Sequence, residues 1–456
     1  MKKTVSLILV AVLLFSICFL ASCGEKKTTT DGITGTVKYA VRAESVDDAT
    51  AVAEKFMSVY KGVTVEIVPY DTDLTTFLNN QAAAKTMPDV AYGWDNMTYF
   101  LSQDWLYPLD EFLNKDDEKQ YIDKNSLTAY TFSGKTYAVP VWMQFTAVMI
   151  NLDLLDSINE DPPAYDWTLS EFDRLLRKAT NDKYSGINHV HALEEYLAPT
   201  MGEGLSEYCY NPETKKFELT DAWVKAIEFK QSLQAVAGLV GDELKNSELT
   251  DAGQMDSYQK KFGKDADALR EGKILFGLHS TWDLGWIETM SYKWDMYPIP
   301  QTEDIGFKEG VHSDYGIMFK NAKNPEACYE FLKWISYGKE GILSRFDHYL
   351  NKETVDGTAK AEFFIPSSSH PDVVKAFGEI DIVPNGIKYM YEHMDQSYKA
   401  DYYKVLPDFK AALKPVEEAQ KRIANGETAA SLAKETEDLV NNMFGESYAA
   451  FEAKLK

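Results

Sequence analysis

The chain has 456 residues, and 71 acidic against 47 basic side chains give it a formal net charge of −24. This balance argues against a nucleic-acid-binding protein and against one that docks on an anionic lipid leaflet, because both need a basic surface. Hydrophobic residues make up 45% and aromatic residues 13% of the chain, which predicts a folded protein, and the length allows roughly two to four domains.

Residues 1–22 are typical of an export signal. Two lysines precede an apolar run, residues 5–20, which is shorter than the about 20 residues that a membrane-spanning helix needs. The run ends in Leu-Ala-Ser-Cys, which resembles a bacterial lipobox, although an ordinary signal peptide with a coincidental cysteine is the alternative. We expect residues 1–22 to be removed and Cys23 to carry acyl chains such as palmitate. Residues 23–33 are then a lipid-anchored, flexible tether on the extracellular face of the cell membrane.

The next segments alternate between strand and helix patterns. Residues 36–41 and 63–68 read as strands, and residues 89–92 read as a short strand that ends at Gly93. Ser45 begins a helical pattern with an acidic residue three positions later, and a second helical pattern separates the second and third strands. This order predicts parallel strands joined by right-handed crossovers, so the expected fold class is α/β.

Helical spacing dominates the rest of the chain. Apolar residues recur every three or four positions in the stretches 169–179, 221–236, 327–337, 373–380, 409–423 and 429–443. The sequence contains no phosphate-binding glycine loop, nucleophile elbow or zinc-protease motif. His189 and His191 are more typical of a surface pair than of a metal site, so we expect neither a metal nor a cofactor.

Two cysteines follow Cys23. Cys328 lies in an apolar pattern of helical period, which indicates a small buried residue. This pattern favours free thiols over a disulfide between Cys328 and Cys209, although an exported chain is able to form one.

Short motifs in a fixed order carry a resemblance to a known family. They are Met-Pro-Asp-Val at 87–90, Leu-Tyr-Pro-Leu-Asp at 106–110, Gly-Lys-Thr-Tyr-Ala-Val-Pro at 134–140, Met-Ile-Asn-Leu-Asp-Leu-Leu at 149–155 and Trp-Thr-Leu-Ser-Glu-Phe at 167–172. Together they resemble the extracellular solute-binding proteins of ABC importers, specifically the carbohydrate-binding family that includes maltose-binding proteins. Two of these motifs depart from the family pattern: Met149-Ile150-Asn151 stands where the family usually has tyrosine-asparagine, and Trp167-Thr168 reverses the usual order.

The resemblance implies two α/β lobes, a hinge that the chain crosses more than once, and a ligand cleft between the lobes, as in periplasmic binding proteins. It implies a first lobe of residues 34–140 and 297–325 and a second lobe of residues 141–296 and 326–456, with one crossing at Val139–Val141. The ligand would select the closed shape that the transmembrane subunits of an ABC permease recognise. We therefore expect a monomeric, lipid-anchored binding protein that is not an enzyme and has no catalytic residues.

The ligand that the resemblance implies is a carbohydrate. A sugar presents apolar C–H faces and a rim of hydroxyl groups, so its site needs aromatic plates together with carboxylates and amides. Such side chains follow predicted strand ends, where open α/β sheets bind ligands. The candidate ligand-binding residues are Arg42, Glu44, Trp94, Asp95, Trp142, Gln144, Trp282, Asp283, Asp314 and Tyr315.

Each candidate also has a packing interpretation. Arg42 and Glu44 could form an exposed ion pair, and Trp286, four residues after Trp282, could face the core. Four other tryptophans are expected to be structural: Trp105, Trp167, Trp223 and Trp334.

Two alternatives to a sugar receptor remain open. The same fold could bind a peptide, a polyamine or another small solute, because acidic aromatic clefts also hold amines through cation–π contacts. A secreted glycoside-active enzyme is the alternative of another class, since 71 acidic residues readily supply two suitably spaced carboxylates.

Overall fold

The computed structural model describes residues 32–303, 305–353 and 361–455. The predicted export signal, Cys23 and the tether up to residue 31 lie outside these residues. None of the described helices combines the length and the apolar character needed to cross a membrane.

The described residues form a mixed α/β structure. Its strands are β1 (Gly35–Arg42), β2 (Val63–Tyr70), β3 (Val90–Gly93), β4 (Thr131–Phe132), β5 (Lys135–Thr136), β6 (Ala138–Asn151), β7 (Ser185–Ile187), β8 (Tyr210–Asn211), β9 (Lys216–Phe217), β10 (Ile274–Ser280), β11 (Trp294–Pro298), β12 (Glu309–Met318) and β13 (Ser397–Lys399). The α-helices of the first half are Val46–Val59, Leu74–Ala84, Met97–Ser102, Asp110–Leu113, Lys124–Ala129, Leu152–Ser157, Leu169–Ala179, Leu193–Met201 and Ala222–Gln234. Those of the second half are Ser247–Asp251, Ser257–Phe262, Leu284–Ile287, Pro325–Ile335, Lys339–Leu350, Pro371–Gly378, Asn385–Glu392, Phe409–Ala412, Lys414–Ala424 and Ala429–Leu455.

Two sheets organise these elements. In the first sheet β1 pairs in parallel with β2 and β3, which confirms the predicted parallel pairing, and β12 and the start of β6 continue the sheet in antiparallel orientation. The second sheet contains β7, β10, the end of β6 and β11. The strand order through both sheets is β2-β1-β3-β12-β6-β10-β7, with β11 beside β6 and β13 beside β12.

Strand β6 joins the two sheets without a break. Its residues 138–145 pair with β12, whereas residues 146–151 pair with β10 or β11. Strand β6 therefore passes from the first sheet to the second near residues 145–146, and the predicted crossing at residues 139–141 falls where Pro140 pairs with Tyr315 in the first sheet. The division into lobes stays a prediction.

The predicted helix at residues 169–179 is confirmed, and a capping box between Thr168 and Glu171 sets its start. The stretch predicted as one helix at residues 409–423 is two helices. Pro415 occupies the first turn of the second of these, where its missing N–H costs no helical hydrogen bond.

The helix Pro325–Ile335 belongs with the first sheet. It contacts β1, β12 and the helix Val46–Val59, and its apolar residues share one buried cluster with those elements. The next helix, Lys339–Leu350, contacts Pro325–Ile335 and Val46–Val59, but its buried Ile342 and Phe346 belong to a second cluster. Residues 325–335 therefore pack with the first sheet, although the sequence division assigned residues 326–456 to the second lobe. Helical periodicity predicts a buried face but does not indicate which sheet buries it.

The predicted packing residues are confirmed. Trp167, Trp223 and Trp334 are buried, and Trp105 packs partly buried against the core. Cys209 and Cys328 are buried free thiols.

Candidate functional site

Two cross-strand pairs form the floor of a cleft where the sheets meet. In the antiparallel pairing of β6 with β12, Gln144 lies opposite His312 and Trp142 lies opposite Asp314. Directly opposed residues project from the same face of a sheet, so these four side chains share one face. We call them the floor residues.

Burial singles out the same positions. Every residue of the long strand β6 is buried except Trp142 and Gln144, and every residue of β12 is buried except Asp314. A β-bulge lies between Asp314 and Tyr315, and bulges commonly re-aim side chains next to binding sites. Three predicted site residues are thus the accessible positions of two otherwise buried strands.

Trp282 lies beside this floor on a turn that follows β10. The preceding residue, Thr281, donates its hydroxyl to the side-chain oxygen of Gln144 at 2.6 Å and accepts the backbone N–H of Phe145 at 2.9 Å. Trp282 itself is 50% exposed, the highest value among the large exposed hydrophobic side chains of the described residues. An indole held this way offers an apolar face to a ligand.

A pocket of about 210 Å³ lies next to Trp282. It is smaller than the roughly 300–1,000 Å³ of a complete small-molecule site, so it accommodates only part of a ligand. Its lining combines an amide, two carboxylates and aromatic rings, contributed by Gln144, Glu288, Glu362, Phe363, Phe364 and Trp282.

Trp142 is held at one end of the floor by other rings. Its ring centroid lies 5.2 Å from that of Phe364 and 6.0 Å from that of Tyr349, both in edge-to-face geometry. The guanidinium carbon of Arg345 lies 5.6 Å from the same indole. These contacts leave Trp142 half-buried, so only part of its surface is available to a ligand.

The first lobe contributes residues from two neighbouring parallel strands. Arg42 and Glu44 follow β1, and their Nε and Oε1 atoms lie 2.5 Å apart in an exposed pair, as one sequence interpretation predicted. The guanidinium carbon of Arg42 also lies 5.2 Å from the ring centroid of Trp94, which follows β3. The ion pair and the cation–π contact therefore occupy both Arg42 and Trp94.

Tyr315 does not present its ring to the cleft. It is fully buried, and its hydroxyl donates to the backbone carbonyl of Asp95, whose side chain is exposed. Tyr315 also pairs with Gly93 between β12 and β3, which places the floor residue Asp314 close to the Trp94 loop. We assign Tyr315 to positioning this loop, because neighbouring residues of a strand point to opposite faces and Tyr315 therefore points away from the face of Asp314.

Asp283 stabilises the Trp282 turn. Its carboxylate accepts the backbone N–H of Ser280 at 3.3 Å in a capping box and lies 3.1 Å from Nδ1 of His279. Sequence reasoning placed Asp283 in the ligand site, but these contacts are those of a helix-start residue.

A buried ion network supports the floor at Asp314. The Lys404 ammonium lies 3.2 Å from Asp314 and 2.9 Å from Asp401, and Lys399 lies 2.5 Å from Asp401. Burial alone would raise the pKa of Asp401, but the two ammonium groups outweigh it and hold that pKa below its ordinary range. Burial raises the pKa of Asp314, and Lys404 opposes that rise.

Sequence reasoning missed the floor residue His312. This side chain is only 3% exposed, and its Nε2 lies 2.8 Å from a carboxylate oxygen of Glu207 and 3.1 Å from the Thr146 hydroxyl. Its ring centroid is 5.0 Å from that of Trp282. The alternation of β12 does not distinguish a floor histidine from a core one, so no sequence signal pointed to it.

A group of tyrosines extends from Glu207, and sequence reasoning missed it too. Tyr208 and Tyr403 are half-buried, with ring centroids 6.1 Å apart. The backbone of Tyr208 has φ 60°, an uncommon conformation for a bulky residue that often marks functional sites. Burial, together with Glu207 and Glu194, raises the pKa of the neighbouring Glu195 to about 8, so this carboxyl group is a hydrogen-bond donor at neutral pH.

Comparison with solved structures identifies the architecture. The structure is similar to an ABC substrate-binding protein from Listeria monocytogenes in complex with cycloalternan, with TM-score 0.64 and 16% identity over 90% of this chain and 99% of that one. It is also similar to the sugar-binding protein MalE from Xanthomonas citri, with TM-score 0.67 and 13% identity over 92% and 99%. A third similar structure is the GacH receptor of Streptomyces glaucescens, solved unliganded and with acarbose, with TM-score 0.61 and 17% identity over 91% of this chain and 99% of that one.

These similarities establish the fold: two α/β lobes of the MalE type, joined at the strands that carry the floor residues. The floor lies where the lobes meet, as the resemblance implied. Independently, residues 51–348, more than half of the chain, match the family of bacterial extracellular solute-binding proteins. The chain therefore belongs to this family.

Proposed function

We propose that the chain is the lipid-anchored, extracellular substrate-binding subunit of an ABC transporter that captures a sugar or oligosaccharide between its lobes and delivers it to a permease. The observation that carries this proposal is the half-exposed Trp282, which lines one pocket with the floor residue Gln144, while Asp314 lies on the same face of the sheet as Gln144. The indole stacks on the C–H face of a sugar ring, and the amide and carboxylate bind its hydroxyl groups.

The charges around the floor favour a neutral solute over an anionic one. Arg42 is paired with Glu44, and Lys404 is paired with Asp314 and Asp401. Arg42 and Lys404 are thus already compensated by carboxylates, so they offer little attraction to an anionic ligand.

The same pocket supports a second candidate ligand, a solute that carries an amine. Its lining includes the aromatic rings of Phe363, Phe364 and Trp282, which hold ammonium groups through cation–π contacts, and the carboxylate of Glu362, which already lies 3.6 Å from the Lys352 ammonium. A polyamine or a basic peptide therefore belongs in the same binding assays as the sugars.

We propose that the protein binds its ligand without turnover. Isothermal titration against a panel of neutral oligosaccharides, with polyamines and basic peptides as the second arm, measures affinity for each class. Chromatography of the same samples detects products. Saturable sugar binding with the sugar recovered intact supports the proposal. Shorter sugars in the samples would establish that the protein is an enzyme. Binding heat with the polyamines or peptides alone would show that the ligand is an amine and not a sugar.

Anchoring through Cys23 is proposed from the sequence pattern and is tested separately. Cys23→Ser should move the protein from the membrane fraction to the medium, and mass spectrometry of the wild-type N-terminus should find a diacylglyceryl cysteine. Retention of the variant in the membrane fraction would contradict lipid anchoring and would leave the ligand proposal untouched.

A further inference from the structure

The backbone around Trp282 is fixed on both sides. On one side, Thr281 binds both the side chain of Gln144 and the backbone of Phe145 on the strand that joins the lobes. On the other side, Asp283 closes a capping box with Ser280. A backbone fixed in this way leaves only the rotation of the indole itself undetermined.

The indole has one described ring partner, His312. The two ring centroids lie 5.0 Å apart with an interplanar angle of 80°. Edge-to-face contact at this distance is favourable and depends on orientation, so it selects one position of the indole among its rotamers. Trp282 is half exposed while His312 is 3% exposed, which makes the histidine the fixed member of the pair.

His312 is itself held by groups from different elements. Glu207, on the turn after the helix Leu193–Met201, lies 2.8 Å from Nε2, and Thr146 of β6 lies 3.1 Å from the same atom. Asp401, beyond β13, lies 3.8 Å from Nδ1. Rotation of the imidazole would move its nitrogens away from all three of these groups.

We propose that His312 is the positioning residue of the cleft: held by Glu207 and Thr146, it fixes the indole of Trp282 in the orientation that receives a sugar face. This inference rests on the proposed function, since fixing the indole matters only if a ligand binds there. An indole that is already fixed loses no side-chain freedom when the ligand binds. Loss of this arrangement should weaken binding by about 2- to 12-fold, which corresponds to the 0.5–1.5 kcal/mol cost of immobilising one side chain.

The test reads the indole directly and needs no ligand. The full chain is labelled with 5-fluorotryptophan, and the Trp282 resonance among the nine tryptophans is assigned with Trp282→Phe in ¹⁹F NMR. In His312→Gln, which keeps a hydrogen-bonding group but removes the ring, the Trp282 resonance should sharpen and move toward the position of the free amino acid. The other eight resonances should keep their positions.

The chain offers a matched control. The guanidinium carbon of Arg270 lies 5.0 Å from the ring centroid of Trp286, so Arg270→Gln should move the Trp286 resonance and leave that of Trp282 in place. A Trp282 resonance that is unchanged in His312→Gln would overturn the proposal. If His312→Gln unfolds the protein, all nine resonances should move together to the positions of an unfolded chain. Glu207→Gln, which keeps the imidazole, is then tested instead, and the same change in the Trp282 resonance is expected. Because no sugar is present, either result is independent of whether the proposed ligand is correct.

Discussion

The hydroxyl of Thr281 donates a hydrogen bond of 2.6 Å to the side-chain oxygen of Gln144. This bond joins the turn after β10, in the second sheet, to the accessible face of β6. Through this contact the most exposed tryptophan of the described chain is placed beside polar floor residues. The arrangement combines an apolar plate with hydrogen-bonding groups at the junction of the lobes, which is the chemistry that a sugar requires.

Removal of the Thr281 hydroxyl should destabilise the protein. Thr281→Val keeps the shape of the side chain but leaves the buried N–H of Phe145 without its acceptor, at an expected cost of about 1–3 kcal/mol in the free energy of unfolding. Urea denaturation measures this cost. Thr289→Val is the control, because Thr289 is exposed and its hydroxyl bonds only the backbone of Trp286, so a change below about 0.5 kcal/mol is expected. Equal losses in the two variants would contradict this role of Thr281.

Truncation of the exposed indole should weaken ligand binding without unfolding the protein. Trp282→Ala is expected to lose about 1–3 kcal/mol of binding free energy, as for the loss of an aromatic anchor. Trp286→Ala is the matched control, because Trp286 packs against His279 and Arg270 and does not line the pocket. Calorimetry with the best sugar of the panel compares them, and an unchanged affinity in Trp282→Ala would show that this tryptophan is not part of the site.

Glu195 predicts a pH dependence of stability. Its pKa rises from the ordinary 4.5 to about 8 in the folded protein because of burial and the nearby Glu207 and Glu194. The folded chain therefore keeps a proton that the unfolded chain releases, and wild-type stability falls relative to a non-ionising variant as pH rises from about 4.5 through about 8. Glu195→Gln should raise the melting temperature by several degrees at pH 9 relative to its effect at pH 5.

Thermal unfolding followed by circular dichroism at both pH values measures the effect of Glu195→Gln. The exposed Glu203→Gln serves as the control and should show the same difference from wild type at both values. A Glu195→Gln effect that does not change with pH would refute the assignment of the raised pKa to this residue.

The buried ion network should be sensitive to the loss of one cation. Lys399→Met leaves the buried Asp401 with Lys404 as its remaining lysine partner, and we expect a loss of about 3–5 kcal/mol in unfolding free energy. Lys375→Met removes an exposed lysine 4.0 Å from Glu379 and should cost less than about 1 kcal/mol. Comparable effects of the two substitutions in urea denaturation would mean that the network does not stabilise the floor.

Much of the fold could be predicted from the sequence because periodicity depends on local burial. The three parallel strands and the helix at residues 169–179 follow directly from such patterns. The packing of residues 325–335 against the first sheet could not be predicted, because their apolar face fits either sheet until tertiary contacts select one.

The candidate site stays a prediction, and the structure bears on single residues of it. Gln144 was chosen because it follows the predicted hinge proline and Trp282 because it follows a predicted strand, and both line one pocket. Tyr315 was chosen together with Asp314, but neighbouring strand residues point to opposite faces, and the sequence does not indicate which of the two faces the cleft. His312 and Tyr208 were missed because their importance arises from contacts with residues more than a hundred positions away, namely Thr146 and Tyr403.

The central claim is that a sugar is captured between two lobes that close on it, and small-angle X-ray scattering tests this claim most directly. The measurement compares the chain alone with the chain saturated by the best sugar of the calorimetric panel. The account predicts a smaller radius of gyration with the sugar, because contacts to both lobes favour the closed state. An unchanged radius of gyration at verified saturation would contradict capture by closure.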